Sequence, residues 1–150
     1  MNAAALISTA FGIGRSPVAP GTVASAVALP IAWVVQIYLG SIALAVLALV
    51  MFGAGVWASA VYARDTGNDD PSECVIDEVA GQWLACAFGP VSIISYVLAF
   101  ALFRLFDISK IWPVSWGEAQ RGGLGIMLDD LIAGAMAGII VAVVHNAGLI

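Results

Sequence analysis

The chain is 150 residues long, 62% hydrophobic and 10% charged, with ten acidic against five basic side chains and a formal net charge of −5. Soluble domains run at roughly 45–50% apolar and 25% charged, so this composition excludes a disordered chain and argues against a water-soluble globule, while the length suits one domain, residues 1–150. The acidic balance also leaves no electrostatic basis for holding nucleic acid, which needs Lys and Arg to displace counterions.

The fifteen formal charges fall in three places: Arg15, seven residues from Arg64 to Glu78, and seven from Arg104 to Asp130. Residues 16–63, 79–103 and 131–150 carry none, and a membrane crossing needs about 20 largely apolar residues. FGIGRSPVAPGT at 11–22 reads as a loop ending at Thr22 as N-cap of a first span, 22–39, interrupted by Pro30. A helix N-terminus beside Arg15 suits an anion. A break at Tyr38-Leu39-Gly40 separates this span from a cleaner one, 41–63. The gap 79–103 is interrupted by Gly89-Pro90 and is too short for two ordinary spans, so it reads as a tight helical hairpin, short or re-entrant. The last gap reads as one span, about 126–145. The expected fold is therefore all-α: an integral membrane bundle of about four to five spans. This division puts all three charged segments on one face, and with every basic residue there, that face is cytoplasmic. No secretory signal is expected, because Arg15 forms no basic n-region. Cys74 and Cys86 form neither a CxxC pair nor a zinc site with nearby His.

Asp70-Pro71-Ser72-Glu73 has the order of a helix start, with Asp70 as N-cap, Pro71 at the first helical position and Glu73 able to reach back. For Asp70 and Glu73, capping competes evenly with a ligand role. Asp77 and Glu78 would then lie beyond the first turn, where capping does not explain them, and Glu73, Asp77 and Gly81 would share one helix face. Asp129 and Asp130 sit between apolar residues, where a carboxylate costs at least roughly 2.5–3.5 kcal/mol on insertion scales. Asp130 aligns with Gly134 and Gly138, and Asp129 with Ala133 and Ala137, which is a small-residue face suited to helix contact. Convergence of both acid pairs would demand a cation, and hard oxygen donors without His or Cys favour magnesium over zinc. Arg104 and Lys110 lie among aromatics at headgroup depth and suit a phosphate monoester, with Asp107 either orienting Lys110 or joining the metal. Arg121-Gly122-Gly123 offers a second cation beside glycines, and His145 reads as an interfacial residue.

Four blocks in order, FGIGRSPVAPGT at 11–22, DPSECVIDEVAGQW at 70–83, FRLFDISKIWP at 103–113 and GGLGIMLDDLIAG at 122–134, resemble the phosphatidylglycerophosphatase A family. The resemblance implies a bacterial, magnesium-dependent, all-helical lipid phosphatase of the inner membrane, acting on phosphatidylglycerophosphate to leave phosphatidylglycerol. By position it implies an acidic motif at Asp77 and Glu78, an FD-K motif at Phe106, Asp107 and Lys110, and a late acid pair at Asp129 and Asp130. Ile111 departs from it, standing where proline is expected in a K-P-W-P string. The candidate catalytic residues are thus Asp77, Glu78, Asp107 and Asp130. The candidate substrate-binding residues are Arg15, Thr22, Arg104, Lys110 and Arg121, and the candidate magnesium ligands Asp77, Glu78, Asp129 and Asp130. Whether a water or an aspartate such as Asp107 attacks phosphorus stays open. The rival is a cation- or proton-coupled transporter, since intramembrane acids also mark ion paths, although no internal repeat accompanies them. Limited internal burial leaves a homodimer open.

Overall fold

The computed structural model describes residues 2–150, and these are helical without strands: α1 (Ala3–Ser8), a 3-10 turn (Ile13–Arg15), α2 (Pro20–Thr66), α3 (Ile76–Ala87), α4 (Ile93–Ser109), α5 (Val114–Glu118) and α6 (Gly122–Asn146). Two helical segments, α2 and α6, are long and apolar enough to cross a membrane. Within α2 the helical conformation fails at Gly40, whose φ of 88° and ψ of 170° are open to glycine and strained for other residues. The chain reverses there. The first arm, 20–39, runs parallel to α3, with Gly21 against Glu78, Trp83 Nε1 donating to the Ala28 carbonyl at 3.0 Å and Gln36 Nε2 donating to the Gly89 carbonyl at 2.8 Å. The second arm, 41–66, returns antiparallel, with Gly55 over Ile76 and Ser59 on Cys74. The break expected at 38–40 is therefore present.

The turn at 88–92 joins α3 to the antiparallel α4, whose Phe103 lies against Gly81 while Ser95 lies against Gly89. The helical hairpin expected over 79–103 exists, extended at both ends. Helix α6 runs parallel to α3: Gly134 meets Gly81, and Gly138 meets Phe88. A Cβ at Gly134 would enter the Gly81 backbone, so both glycines are required for this approach. The small-residue face of α6 is thus used within the chain, where glycines let the two backbones approach closely. The interior follows suit, with Ala28, Ala32, Ala85 and Ala137 buried, while bulky residues such as Ile42 (83% exposed) and Val97 (60%) face outward. At the end away from the charges, the Gln36 side chain ties the arms together. It donates to Ser41 Oγ at 2.7 Å and to Gly89, and accepts from Tyr96 Oη at 2.6 Å.

Two local expectations fail. Helix α2 begins at Pro20, not Thr22: Ala19 takes a left-handed conformation, and Pro20, with no N–H to satisfy and its φ already helical, occupies the first turn. Residues 70–73 do not start α3. The Cys74 N–H closes a turn on Pro71, and the Val75 N–H donates to the Ser8 carbonyl at 2.8 Å, which holds the segment against α1 and delays the helix to Ile76. Asp70 is no N-cap. Glu73 leaves the line with Asp77 and Gly81 and accepts a hydrogen bond from Tyr62. Asp77 and Glu78 fall in the first turn of α3, where the dipole favours anions, contrary to the expectation that they lay beyond it.

Candidate active site

The antiparallel and parallel pairings carry the three charged segments to one end of the bundle. There, the first turn of α3, the last turn of α4 and the second turn of α6 converge on a cavity of about 1030 Å³, whose lining includes Asp77, Glu78, Arg104, Asp107, Lys110, Asp129 and Asp130. Arg104, Asp107 and Lys110 share one face because they are three residues apart. Lys110 closes α4 with φ of 49°, an uncommon conformation for a side-chain-bearing residue, with its N–H on the Phe106 carbonyl at 3.0 Å. The ammonium comes to lie between two helices.

Its contacts form a chain of opposite charges. Lys110 Nζ donates to Asp129 Oδ2 at 2.6 Å and to Asp107 Oδ1 at 3.0 Å, and Arg104 Nη1 donates to Asp107 Oδ2 at 2.6 Å while standing 4.0 Å from Glu78 Oε1. Burial alone would lower the Lys110 pKa, but the hydrogen bonds and charges of Asp129 and Asp107 outweigh it and raise the group above the ordinary lysine range. Asp77 Oδ1 accepts from the Glu78 N–H at 3.0 Å, and Asp129 Oδ1 from the Asp130 N–H at 2.9 Å, so each acid pair locks its first member onto the backbone of the second. Asp130 is 2% exposed.

Oxygens of Asp77, Asp129 and Asp130 lie within 4.8 Å of one another, and so do those of Glu78, Asp107 and Asp130. The two triads share Asp130. Glu78 Oε2 and Asp130 Oδ2 are buried without a partner, as is Arg104 Nε. Within the network five carboxylates face two cations, Arg104 and Lys110, so the acids outnumber the bases by three. Buried charge of that kind is tolerated when paired or when it coordinates a metal. The donor set fits a hard divalent cation: oxygens only, two of them unsatisfied, and no His or Cys in either triad.

The structure unites most, but not all, of the residues singled out. Asp77, Glu78, Asp107, Asp129, Asp130, Arg104 and Lys110 form the network, with Asp107 both pairing the cations and completing the second triad. Arg121 lines the cavity from the start of α6, at an exposed position, and Thr22 lines it from the first turn of α2 without capping that helix. Arg15 is the correction: it ends the 3-10 turn, is exposed, and does not line the cavity, because the loop delivers Ala19, Pro20 and Gly21 instead. His145 lies at the opposite end of α6, bonded to Ile150. Sequence reasoning missed Gly21, which abuts the Glu78 carboxylate so closely that a Cβ would displace it. The available signal was a glycine directly after a helix-starting proline.

The phosphatidylglycerophosphatase A family model matches residues 6–145. Phosphatidylglycerophosphatase A of Escherichia coli is 34% identical over 144 residues, 94% of this chain and 83% of that protein. The Haemophilus influenzae protein of the same name is 32% identical, covering 94% of this chain and 88% of its own. A Bacteroides thetaiotaomicron protein, provisionally named a phosphatidylinositol-3-phosphatase, is 39% identical, covering 92% and 91%. No solved structure matches the chain. With nearly the whole chain matched, and with three of the four blocks that carry the resemblance supplying the charged network while the first lines the cavity beside it, the chain belongs to the phosphatidylglycerophosphatase A family, a family of phosphatases.

Proposed function

We propose that this chain hydrolyses the terminal phosphate monoester of phosphatidylglycerophosphate to phosphatidylglycerol and phosphate, at the cytoplasmic face of the bacterial inner membrane. One observation carries the reading: two carboxylate triads sharing Asp130, flanked by Arg104 and Lys110, lie at one end of a bundle whose outer surface is apolar. The substrate named for the E. coli and H. influenzae relatives supports the headgroup. All five basic residues lie toward this end, which supports a cytoplasmic orientation. We count the two arms of α2, the shorter α3 and α4 of the hairpin, and α6 as the four to five spans of this reading.

Asp77, Glu78, Asp129 and Asp130 would hold magnesium, with Asp107 completing the second triad beside Glu78 and Asp130. Magnesium bound there supplies Lewis-acid neutralisation of phosphoryl charge. The protein's own part is positioning. Lys110 Nζ and the unpartnered Arg104 Nε donate to the remaining phosphoryl oxygens, and Asp107, gripped by both cations, fixes their aim. That double engagement makes Asp107 a weak nucleophile and favours water as the attacking group. The P–O bond to glycerol breaks as the water oxygen joins phosphorus. The diacyl portion stays in the bilayer while the headgroup enters from the side. The transport alternative finds no support: the relatives are named as phosphatases, and the acids cluster at one end instead of marking a path across.

The test is phosphate release by detergent-purified protein from phosphatidylglycerophosphate, phosphatidylinositol 3-phosphate, phosphatidic acid and soluble glycerol phosphate, with magnesium or chelator. Phosphatidylglycerophosphate should be preferred, and activity should vanish with chelator and in Asp77→Asn and Asp130→Asn. Near-normal turnover in both variants refutes the metal assignment, and a preference for the inositol lipid refutes the headgroup.

A further inference from the structure

The first arm of α2 and helix α4 flank the polar cavity, through Gly21 and Thr22 on one side and Arg104 on the other. Farther from the charges the same two helices enclose a second cleft of about 460 Å³, lined by Leu29, Pro30, Trp33 and Val34 of α2 and by Ile93, Tyr96 and Val97 of α4. The cleft exists because α4 packs on α3 and α6 and barely touches α2. Its floor is an aromatic pair: Trp33 and Tyr96 meet edge to face with centroids 4.9 Å apart, and the Tyr96 hydroxyl is committed to Gln36. No side chain lining it carries a charge.

Depth identifies an occupant. Leu29 lies eight residues below Gly21 and Val97 seven residues below Arg104, so at 1.5 Å per residue the cleft starts about 10–12 Å from the polar cavity. Half a bilayer's hydrocarbon core is about 15 Å. An anionic headgroup in the cavity therefore leaves its acyl chains level with this cleft, between the same two helices. We infer that the cleft between α2 and α4 is an acyl-chain subsite, and that one chain of the phospholipid substrate lies against Trp33 and Tyr96 while its phosphate occupies the polar cavity. This inference rests on the lipid phosphatase reading above. It makes the cleft the lateral entry route and binding to the chain a source of selectivity over soluble phosphate monoesters.

Val34 and Val97 project from the rim and are 55% and 60% exposed, so enlarging them fills the cleft without overpacking the interior. Val34→Trp and Val97→Trp, each checked for folding by thermal unfolding in detergent, should lower kcat/KM for dioleoyl phosphatidylglycerophosphate about tenfold, the range a mismatched apolar pocket produces. The dihexanoyl form should be hydrolysed at the wild-type kcat/KM. Ile139→Trp, on an outward face of α6 at 55% exposure, should leave both substrates unaffected. A photoactivatable diazirine in the acyl chain should label Trp33 or Val97 in wild type and in inactive Asp130→Asn alike, and lose that label in Val97→Trp. Equal loss on long and short chains, equal loss in Ile139→Trp, or labelling spread over all outward faces overturns the subsite. Wild-type protein that hydrolyses no lipid phosphate while still labelling the cleft overturns the enzymatic reading and leaves the lipid site standing.

Discussion

Gly81→Ala tests whether the approach of α3 and α6 sets the geometry of the acids. A Cβ at Gly81 would meet the Asp130 carbonyl and Phe103 Cε2, each at 2.6 Å, where ordinary contact begins at 3.4 Å. Phe103 is fully buried and the carbonyl belongs to the helix backbone, so neither yields by rotating a flexible side chain. Relief requires α3 to move from α6 by roughly 0.8 Å, close to the 1 Å misplacement that costs about a hundredfold in rate. Overpacking of this kind also destabilises by about 1–3 kcal/mol. The expected result is a kcat for phosphate release lowered tenfold to a hundredfold, at about that order, with a lower Tm. Gly134→Ala meets the same backbone from the other side, so the double variant should lose less than the two losses combined, since one shift relieves both. Gly53→Ala, with nothing within 4 Å, is the control and should keep wild-type turnover. Wild-type kcat and Tm in Gly81→Ala would refute the account.

Gly21→Ala should displace the Glu78 carboxylate without moving a helix, lowering activity and weakening magnesium response while leaving Tm near wild type; an unchanged magnesium titration contradicts this. Lys110→Met leaves Asp107 and Asp129 facing each other without their shared cation, and kcat should fall about 10²–10³-fold, the scale for losing one preorganised donor. Because those carboxylates raise the Lys110 pKa, its charge persists through neutral and mildly alkaline pH and is lost only above the ordinary value of about 10.4, so the rate of the wild type should show no lysine limb between pH 7 and 9. Gln36→Leu strips the Tyr96 hydroxyl and the Gly89 carbonyl of their partner at the far end of the bundle, costing about 1–3 kcal/mol for each group left unsatisfied. Unfolding should report this loss while the magnesium dependence of the folded fraction stays unchanged. Burial pushes the Cys74 thiol up to about 11, so maleimide should label it slowly at pH 7.5 in the native state and promptly after denaturation. Fast native labelling would contradict that burial.

Much of this protein is legible from its residues in order. Long uncharged stretches reveal the helices, Gly40 and Gly89-Pro90 mark the turns, and Asp129-Asp130 declare themselves because carboxylates between apolar neighbours need a reason. The alignment of Asp130 with Gly134 correctly indicates the face that packs inward. These signals are local, depending on hydropathy and helical period alone. Boundaries governed by contacts with distant segments were not legible. Asp70 to Glu73 has the spelling of a helix start, yet Ser8 claims the Val75 N–H and Tyr62 claims Glu73, partners that no spacing rule discloses.

Sequence alone determined that this is an apolar helical chain of the phosphatidylglycerophosphatase A family, with its acids and bases gathered in three short segments, because composition and motif order survive without coordinates. The tertiary structure decided which charges meet. Parallel packing of α3 on α6 and antiparallel packing of α4 bring Lys110 to Asp129, Glu78 to Asp107 and both triads to Asp130, and leave Arg15 outside. Pairing between segments separated in sequence depends on which helices approach closely, and here glycine contacts such as Gly81 with Gly134 set that approach.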